Sequence, residues 1–451
     1  MMNFISIVDK LNSFLWDNLL IFLLLGTGIY YSFRLRFPQV RKIKAINEHV
    51  FGKILKKGDK ADADGMTSFQ ALATALAAQV GTGNLAGVAT AIASGGPGAI
   101  FWMWISAFFG MGTIFGEAIL AQKYVERIDG EVVGGPAYYL KKGVNSKFLA
   151  GFFAVSIIIA LGFIGNMVQS NSIAIALNSA FNIPSWIGGV IAAVLAGLIL
   201  VGGISRIASF TELIVPIMAI LYIAGSMVII ILNYNQIIPA FKTIFNSAFS
   251  PEAAAGGVLG ATVKEAVRYG ISRGLFSNEA GMGSTPHAHA VAKVDHPAEQ
   301  GLVAIFGVIF DTLIICTITA LINIITGAYT QGMTGIAMTQ TAYKIGLGDF
   351  GTKFIAVSLF FFAFSTIIGW YYFGESNIKY LFGKKGIKYY RVIVLIFILL
   401  GSILDVDLVW KVADLFNGLM VLPNIVGLLI LSPQVFAALR DYENNFLNMP
   451  K

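Results

Sequence analysis

Apolar runs of about 18 to 25 residues recur along this chain from end to end, each long enough to cross a hydrocarbon layer of about 30 Å as a helix. That recurrence limits the fold more than any motif does. Within lipid no water satisfies backbone N–H and C=O groups, so only helices and closed barrels can cross. Long interrupted runs, without the roughly ten-residue alternation of a porin strand, argue against a barrel. The pattern predicts an all-α membrane protein with about eleven crossings. Composition agrees, since 57% hydrophobic and 12% charged residues among 451 cannot clothe soluble domains of that length.

The first run, residues 14–33, carries Asp17 and Asn18 near its start and no small-residue cleavage pattern after it, so a retained helix is expected. Cys316, the single cysteine, lies in an apolar run, where it can form neither an intrachain disulfide nor a cysteine-based metal site. Packing is its expected role.

A formal charge of +7 fits either nucleic acid or anionic lipid, and the placement of the charges decides. Nine of the 31 Lys and Arg residues separate the first two runs: Arg34, Arg36, Arg41, Lys42, Lys44, Lys53, Lys56, Lys57 and Lys60. Lys123, Arg127, Lys141, Lys142 and Lys147 follow the third run, and Lys379, Lys384, Lys385, Lys388 and Arg391 the ninth. With the N-terminus outside, these loops share one side with Arg206, Lys293, Arg440 and Lys451, about 23 charges against about five. That side is the cytoplasm, which makes the chain a multi-pass protein of the inner cell membrane with a cytoplasmic C-terminus. The charges punctuate spans and form no stacked basic face, so no nucleic-acid partner is expected.

Five units are expected: an extra N-terminal transmembrane helix (1–36), a basic amphipathic segment on the cytoplasmic lipid surface (37–65), two sets of five helices (66–240 and 241–435) and a cytoplasmic tail (436–451). The first set has breaks near Gly95, Asp129, Asn182 and Gly203. The second starts near Gly257, with breaks near Asp295, Thr330, Gly374 and Asp405. Five crossings per set orient the halves oppositely, as an inverted repeat requires.

The first helix of each set is interrupted. One carries QVGTGNLAG, with Gly81, Gly83 and Gly87 inside an apolar run; its counterpart carries GLFSNEAGMGSTP, with Gly274, Gly281, Gly283 and Pro286. Glycine-interrupted spans at matching positions point to a midplane site built from broken helices. The alternative, that the glycines only let helices pack closely, explains one such string better than a matched pair. GTGNLAG also lacks the spacing and preceding strand of a dinucleotide fingerprint.

At the first break the N–H groups of Gly81, Thr82 and Gly83, ahead of a half-helix starting near Asn84, suit a carboxylate. The carbonyls of residues 77–80, with the Asn84 side chain, suit sodium. At the second, Phe276 and Ser277 can offer carbonyls to an ammonium group, and Ser277 and Asn278 have the chemistry of N-caps for the half-helix that follows. Glu279 has two readings: a first-turn carboxylate favoured by the helix dipole, or an ion ligand or proton relay. In FFAFSTIIGWYYFG, Phe362, Thr366 and Trp370 share a face at a spacing of four. Ser365 and Thr366 can there complete a sodium site beneath a capping Trp370, or simply bond their own helix. Gly162, Gly165, Asn166 and Gln169 line one side of another helix, for substrate or for helix-to-helix bonding. Lys264, Arg268 and Arg273 are expected to line a water-filled outer vestibule. Glu117, Asp311 and Asp414 are intramembrane carboxylates without an obvious partner, with neutralisation of a cytoplasmic base as the other reading of Glu117, and His287, His289 and His296 read as loop residues rather than a metal site.

QVGTGNLAGVATAI, GGPGAIFWMW, GGPAYYL and FSNEAGMGSTPHAHA resemble the hallmark strings of the alanine or glycine:cation symporter family, over essentially the whole chain. The resemblance implies a leucine-transporter-type fold: a ten-helix core of two inverted five-helix repeats plus one extra N-terminal helix. It implies sodium-coupled uptake of alanine or glycine, with Gly81, Thr82, Gly83 and Asn84 meeting the carboxylate and one ion. Ala77, Val80, Ser365 and Thr366 are similar to the ligands of the fold's second sodium site. Phe276, Met282 and Trp370, with Gln79 as a further contact or volume limit, would restrict the pocket. Substrate contacts are expected from Gln79, Gly81, Thr82, Gly83, Asn166, Gln169, Phe276, Ser277, Gly281, Met282, Thr366 and Trp370, and sodium contacts from Ala77, Val80, Asn84, Ser365 and Thr366.

The expected mechanism is alternating access by a functional monomer; no P-loop is present, so ATP is not expected to drive it. Coupling to a proton through Glu279 is the alternative. No nucleophile, base or metal constellation suggests an enzyme.

Overall fold

The computed structural model describes residues 2–54, 62, 65–249, 262–404 and 406–446. Lys56, Lys57, Lys60, Gly257, Asp405 and Lys451 lie outside the described residues, as does the side chain of Lys53. Among the described residues seven helices are long and apolar enough to cross a membrane, and an eighth crossing is a pair bent by 47°. In chain order they are α1 (Ile5–Arg34), the bent pair α2 (Ser68–Gln79) and α3 (Gly83–Gly95), α4 (Ala99–Lys123) and α5 (Lys147–Phe181). The shorter α6 (Ser185–Leu200) precedes α7 (Gly203–Leu232). A second interrupted pair, α8 (Val263–Asn278) and α9 (Pro286–Ala290), precedes α10 (Pro297–Ile325), α11 (Asp349–Phe382), α12 (Lys385–Gly401) and α13 (Val406–Asn444). By length and hydropathy eight of these spans qualify; α6, α12 and the pair α8 and α9, which fall short of that measure, bring the count among the described residues to the eleven expected.

Several expected boundaries shift. The divide at 240/241 falls inside the helix Ile237–Phe249, and α13 carries the expected tail on as helix to Asn444. The basic segment forms two helices, Pro38–Arg41 and Ile43–Ile54.

Both broken helices begin alike. Thr67 caps α2 and Thr262 caps α8, each in a reciprocal capping box with Gln70 or Glu265. Such a box satisfies two of the N–H groups that a helix start leaves unpaired. β1 (Met66–Thr67) then pairs in parallel with β4 (Ala292–Lys293), setting the start of α2 beside the chain just past α9. The two interrupted crossings therefore run in opposite directions, the arrangement of an inverted repeat. β2 (Glu126–Ile128) and β3 (Glu131–Val133) form a hairpin after α4.

Burial separates centre from rim. The most apolar window of α11 is 78% buried, against 39% for α1 and α7, whose outward Phe22, Leu213, Ile220 and Ile231 suit lipid. π-helical turns widen α3 at Gly83–Gly87, α5 at Ile158–Gly165 and α10 at Ile309–Cys316. Such turns free backbone groups from the regular ladder and favour functional sites. Two of these three flank the breaks directly.

Candidate functional site

The first helix stops at Gln79 because Val80 leaves helical geometry (φ −83°, ψ 88°), and helix resumes at Gly83. The carbonyls so released meet α11. Thr366 Oγ1 donates to Ala77 O at 2.9 Å and lies 3.4 Å from Val80 O, while Ser365 Oγ reaches Ala77 O at 3.4 Å. Two hydroxyls and two carbonyls thus converge in a buried spot, a donor set of hard oxygens that suits a small cation. Each hydroxyl also bonds the Phe362 carbonyl of its own helix, so both expected roles are compatible. The close approach needs Gly81: a Cβ there would stand 3.1 Å from Thr366 Cβ.

Two of the three N–H groups expected to face a carboxylate are held by side chains. Gly81 N donates to Asn84 Oδ1 at 2.8 Å, and Thr82 N to Gln169 Oε1 at 3.2 Å. Asn84 Nδ2 in turn donates to Asp311 Oδ1 at 2.5 Å. Ser277 Oγ donates to the same oxygen at 2.9 Å, and Cys316 Sγ lies 3.4 Å from Asn84 and 3.3 Å from Ser277. Asp311 and the lone cysteine therefore belong to the centre, which their apolar surroundings in the sequence concealed. Gly83 packs straight onto Ser277, whose Cα would stand 3.0 Å from a Cβ at that glycine.

The second break lies further along than its sequence suggests. Ser277 and Asn278 do not cap a new half-helix; they are the last residues of α8, Ser277 Oγ donating to Asp311 and Asn278 Nδ2 to Thr312, while Asn278 Oδ1 accepts from Ala280 N at 3.0 Å in the unwound stretch. Nor does Glu279 open a helix: it ends α8 in left-handed geometry (φ 58°), a conformation costing a non-glycine residue about 1–2 kcal/mol. Ser284 Oγ donates to its carboxylate at 2.5 Å, and Trp370 Nε1 donates to the other oxygen. Residues 279–285 are unwound, and the next helix starts at Pro286.

Among the described residues a single direct bond spans the two gaps, Gln79 Nε2 donating to Asn278 O at 2.6 Å. Around it Gln79 Oε1, Thr82 Oγ1, Gln169 Nε2 and Asn166 Oδ1 are buried without a hydrogen-bond partner among the described residues. An unpaired buried polar atom costs about 1–3 kcal/mol, so four in one region mark a place completed by polar ligands or water. Asn166 Nδ2 bonds its own helix at Gly162 O. Phe276 stands edge-on to Trp370, ring centroids 5.7 Å apart, and both are buried.

Gly281 is not brought to this gap. Its N–H donates to Glu117 Oε2 at 3.0 Å, and its α-carbon faces Leu24 and Thr113. Gly283 N donates to Glu117 Oε1 at 2.9 Å and Asn424 Nδ2 to the same oxygen at 2.6 Å, so Glu117 organises the unwound stretch and neutralises no cytoplasmic base. The φ values of Gly281 (89°) and Gly283 (83°) explain why that stretch needs glycine. Met282 lies between them, buried, its N–H bonded to Glu279 O.

An open cavity of about 690 Å³ stands above the centre, lined by Arg268, Arg273, Trp410, Lys411 and Asp414 among others. Asp414 holds Arg273 through two bonds of 2.8 Å, and the guanidinium lies 5.0 Å from the Trp410 ring centroid. Arg268 pairs with Asp17 at 2.8 Å; Lys264 is exposed outside the cavity lining. Two of the three histidines depart from expectation, whereas His296 lies in the bend before α10. His287 and His289 are buried in α9, His287 donating from Nδ1 to Ser284 O at 2.6 Å and His289 Nδ1 accepting from Gln300, while His296 Nδ1 caps α10. Among the described residues no group of three or more His, Cys, Asp or Glu side chains is placed to hold a metal.

The profile described as the sodium:alanine symporter family matches residues 1–449. The sodium/alanine symporter AgcS of Methanococcus maripaludis is 44% identical over 450 residues, 98% of each chain. The probable sodium/glutamine symporter GlnT of Bacillus subtilis is 45% identical over 439 residues, 97% of this chain and 90% of that one. Among solved structures, MhsT in complex with L-phenylalanine superposes with a TM-score of 0.59 at 12% identity, covering 85% of this chain and 99% of the other. That likeness carries the leucine-transporter-type fold alone. With the fold, the paired breaks and a match across the whole length in agreement, the chain belongs to the sodium:alanine symporter family, a family of integral membrane transporters and not of enzymes.

Proposed function

We propose that this protein imports a small neutral amino acid, alanine or glycine, together with sodium, by alternating access between the two membrane faces. The observation that carries the reading is the pair of gaps in helical hydrogen bonding, facing each other and ringed by unpaired buried polar atoms. The amino acid's carboxylate takes the N–H groups of Gly81, Thr82 and Gly83, displacing Asn84 Oδ1 and Gln169 Oε1, and its ammonium turns to the carbonyls of Phe276 and Ser277. Sodium sits between the Ala77 and Val80 carbonyls and the Ser365 and Thr366 hydroxyls; Asn84 turns its freed oxygen to an ion. Phe276, Met282 and Trp370 leave room for hydrogen or one methyl group. Ion and substrate favour the same closed state, which is what couples them. The N-terminus lies outside, the C-terminus in the cytoplasm, and one chain holds a complete site.

Equilibrium binding of labelled alanine to purified protein, with sodium exchanged for potassium or choline, tests this. Binding is expected only with sodium; equal binding in all three salts defeats the reading. Proton coupling is the second reading, favoured by the Glu279 carboxylate buried inside the break. It requires uptake that follows pH and ignores sodium.

A further inference from the structure

Where α1 ends beside the last turns of α13, the surface carries a pocket of about 490 Å³ that the transport reading leaves unused. Arg34, Arg36, Arg41 and Arg440 line it with one carboxylate, Glu443. That carboxylate is engaged, pairing with Arg41 at 2.7 Å and with Lys42 at 2.9 Å. Arg41 is engaged too, donating to the Leu35 and Arg36 carbonyls at 3.3 Å. The other three guanidiniums lack a carboxylate among the described residues. Arg34 lies over the Phe436 ring at 5.2 Å, Arg440 Nε donates to Phe436 O of its own helix, and the exposed Arg36 side chain has no hydrogen bond or ion pair among the described residues. Consecutive left-handed residues, Arg36 (φ 58°) and Phe37 (φ 52°), fold the chain back between α1 and the helix Pro38–Arg41, which keeps these charges together.

Three like charges held at one spot repel one another, so an anion there relieves repulsion as well as gaining attraction. Guanidinium favours phosphate oxygens, which match its fork of donors. The surroundings are those of a membrane edge. The pocket closes the ends of two spanning helices; Phe33 (63% exposed) lines it with Phe37 edge-on at 5.0 Å, and Val40 (59% exposed) lies in the adjoining helix Pro38–Arg41. We infer that this pocket binds the phosphodiester headgroup of an anionic phospholipid, whose acyl chains lie along the exposed apolar side chains beside it. The inference is independent of the substrate and the ion.

The test uses the full-length protein in neutral detergent, titrated separately with phosphatidylglycerol and phosphatidylcholine, with bound lipid counted by native mass spectrometry. Phosphatidylglycerol is expected to bind and to survive an excess of inorganic phosphate, and phosphatidylcholine not to bind. Each arginine removed weakens such binding about fivefold, so R36Q/R440Q loses about 25-fold. K385Q/K388Q removes the same charge from exposed residues elsewhere and is expected to leave affinity unchanged. R36K/R440K keeps the charge without the forked geometry and falls between, and it stands in should the glutamine variant not fold. Equal binding of both lipids, equal loss in both glutamine variants, or wild-type affinity in R36K/R440K together with R36Q/R440Q overturns the inference. Full displacement by phosphate overturns the lipid source and assigns the pocket to a free anion.

Discussion

Replacing Glu117 by Gln removes one acceptor from a carboxylate that collects three donors. Oε1 accepts from Gly283 N and Asn424 Nδ2, and Oε2 from Gly281 N. The amide of Gln must point its NH2 group at one side. The less damaging choice faces it toward Gly281, losing one charge-assisted bond and leaving that N–H without an acceptor. A bond to a charged group contributes about 1.5–3 kcal/mol, and the two survivors weaken with the charge gone, so about 2–3 kcal/mol of support for the unwound stretch is at stake. If that stretch must hold its shape for substrate to bind, the loss appears as a decrease in alanine affinity of about 30- to 160-fold. Equilibrium binding at saturating sodium, with a thermal midpoint taken on the same sample, separates loss of affinity from loss of fold. Glu117 touches neither ligand in this arrangement, so the change should fall on affinity and midpoint without altering which amino acids compete. Wild-type affinity and an unmoved midpoint in E117Q refute the positioning role.

Three further outcomes follow from the same geometry. G81A places a Cβ against Thr366 and within 3.2 Å of Gln169 Oε1, so sodium-dependent alanine binding should vanish in protein that still elutes as a single species. T366V keeps the shape but removes the hydroxyl 2.9 Å from Ala77 O; the sodium concentration for half-saturation should rise about tenfold, the equivalent of about 1.4 kcal/mol, and an unchanged value removes Thr366 from the ion site. Outside the membrane, burial would raise the Glu131 carboxyl, but hydrogen bonds and charge from Lys379 and Lys384 hold it below its ordinary 4.5. A depressed folded value means that this contact contributes fully above about pH 4.5 and is lost as pH falls through the lower folded value. E131Q should therefore flatten the acid limb of the thermal midpoint against pH, and an identical limb counts against the contact.

The breaks were legible because glycine strings inside apolar runs have few other uses, and the spacing of Phe362, Thr366 and Trp370 gave the face that meets them. What stayed hidden depends on partners distant in the chain. Glu117 lies 164 residues from Gly281, and nothing beside it in an apolar helix announces its three donors. The register of the second break was hidden for a related reason. Ser277 and Asn278 have capping side chains, but Asp311 takes the Ser277 hydroxyl and the Asn278 oxygen turns to Ala280 N, so helix continues to Asn278 where local chemistry alone would start afresh. Local signals did exist for the helix starts: TSFQ at 67–70 and TVKE at 262–265 are capping boxes, and their recurrence one repeat apart marks the two halves independently of the glycines.

The amide that links Gln79 to Asn278 has one end in each half of the molecule. At 2.6 Å it tolerates little travel, and a separation of about 1 Å ends it. In the proposed transport cycle, a guest that takes over the carboxamide's bonding unfastens this link between the half-sites.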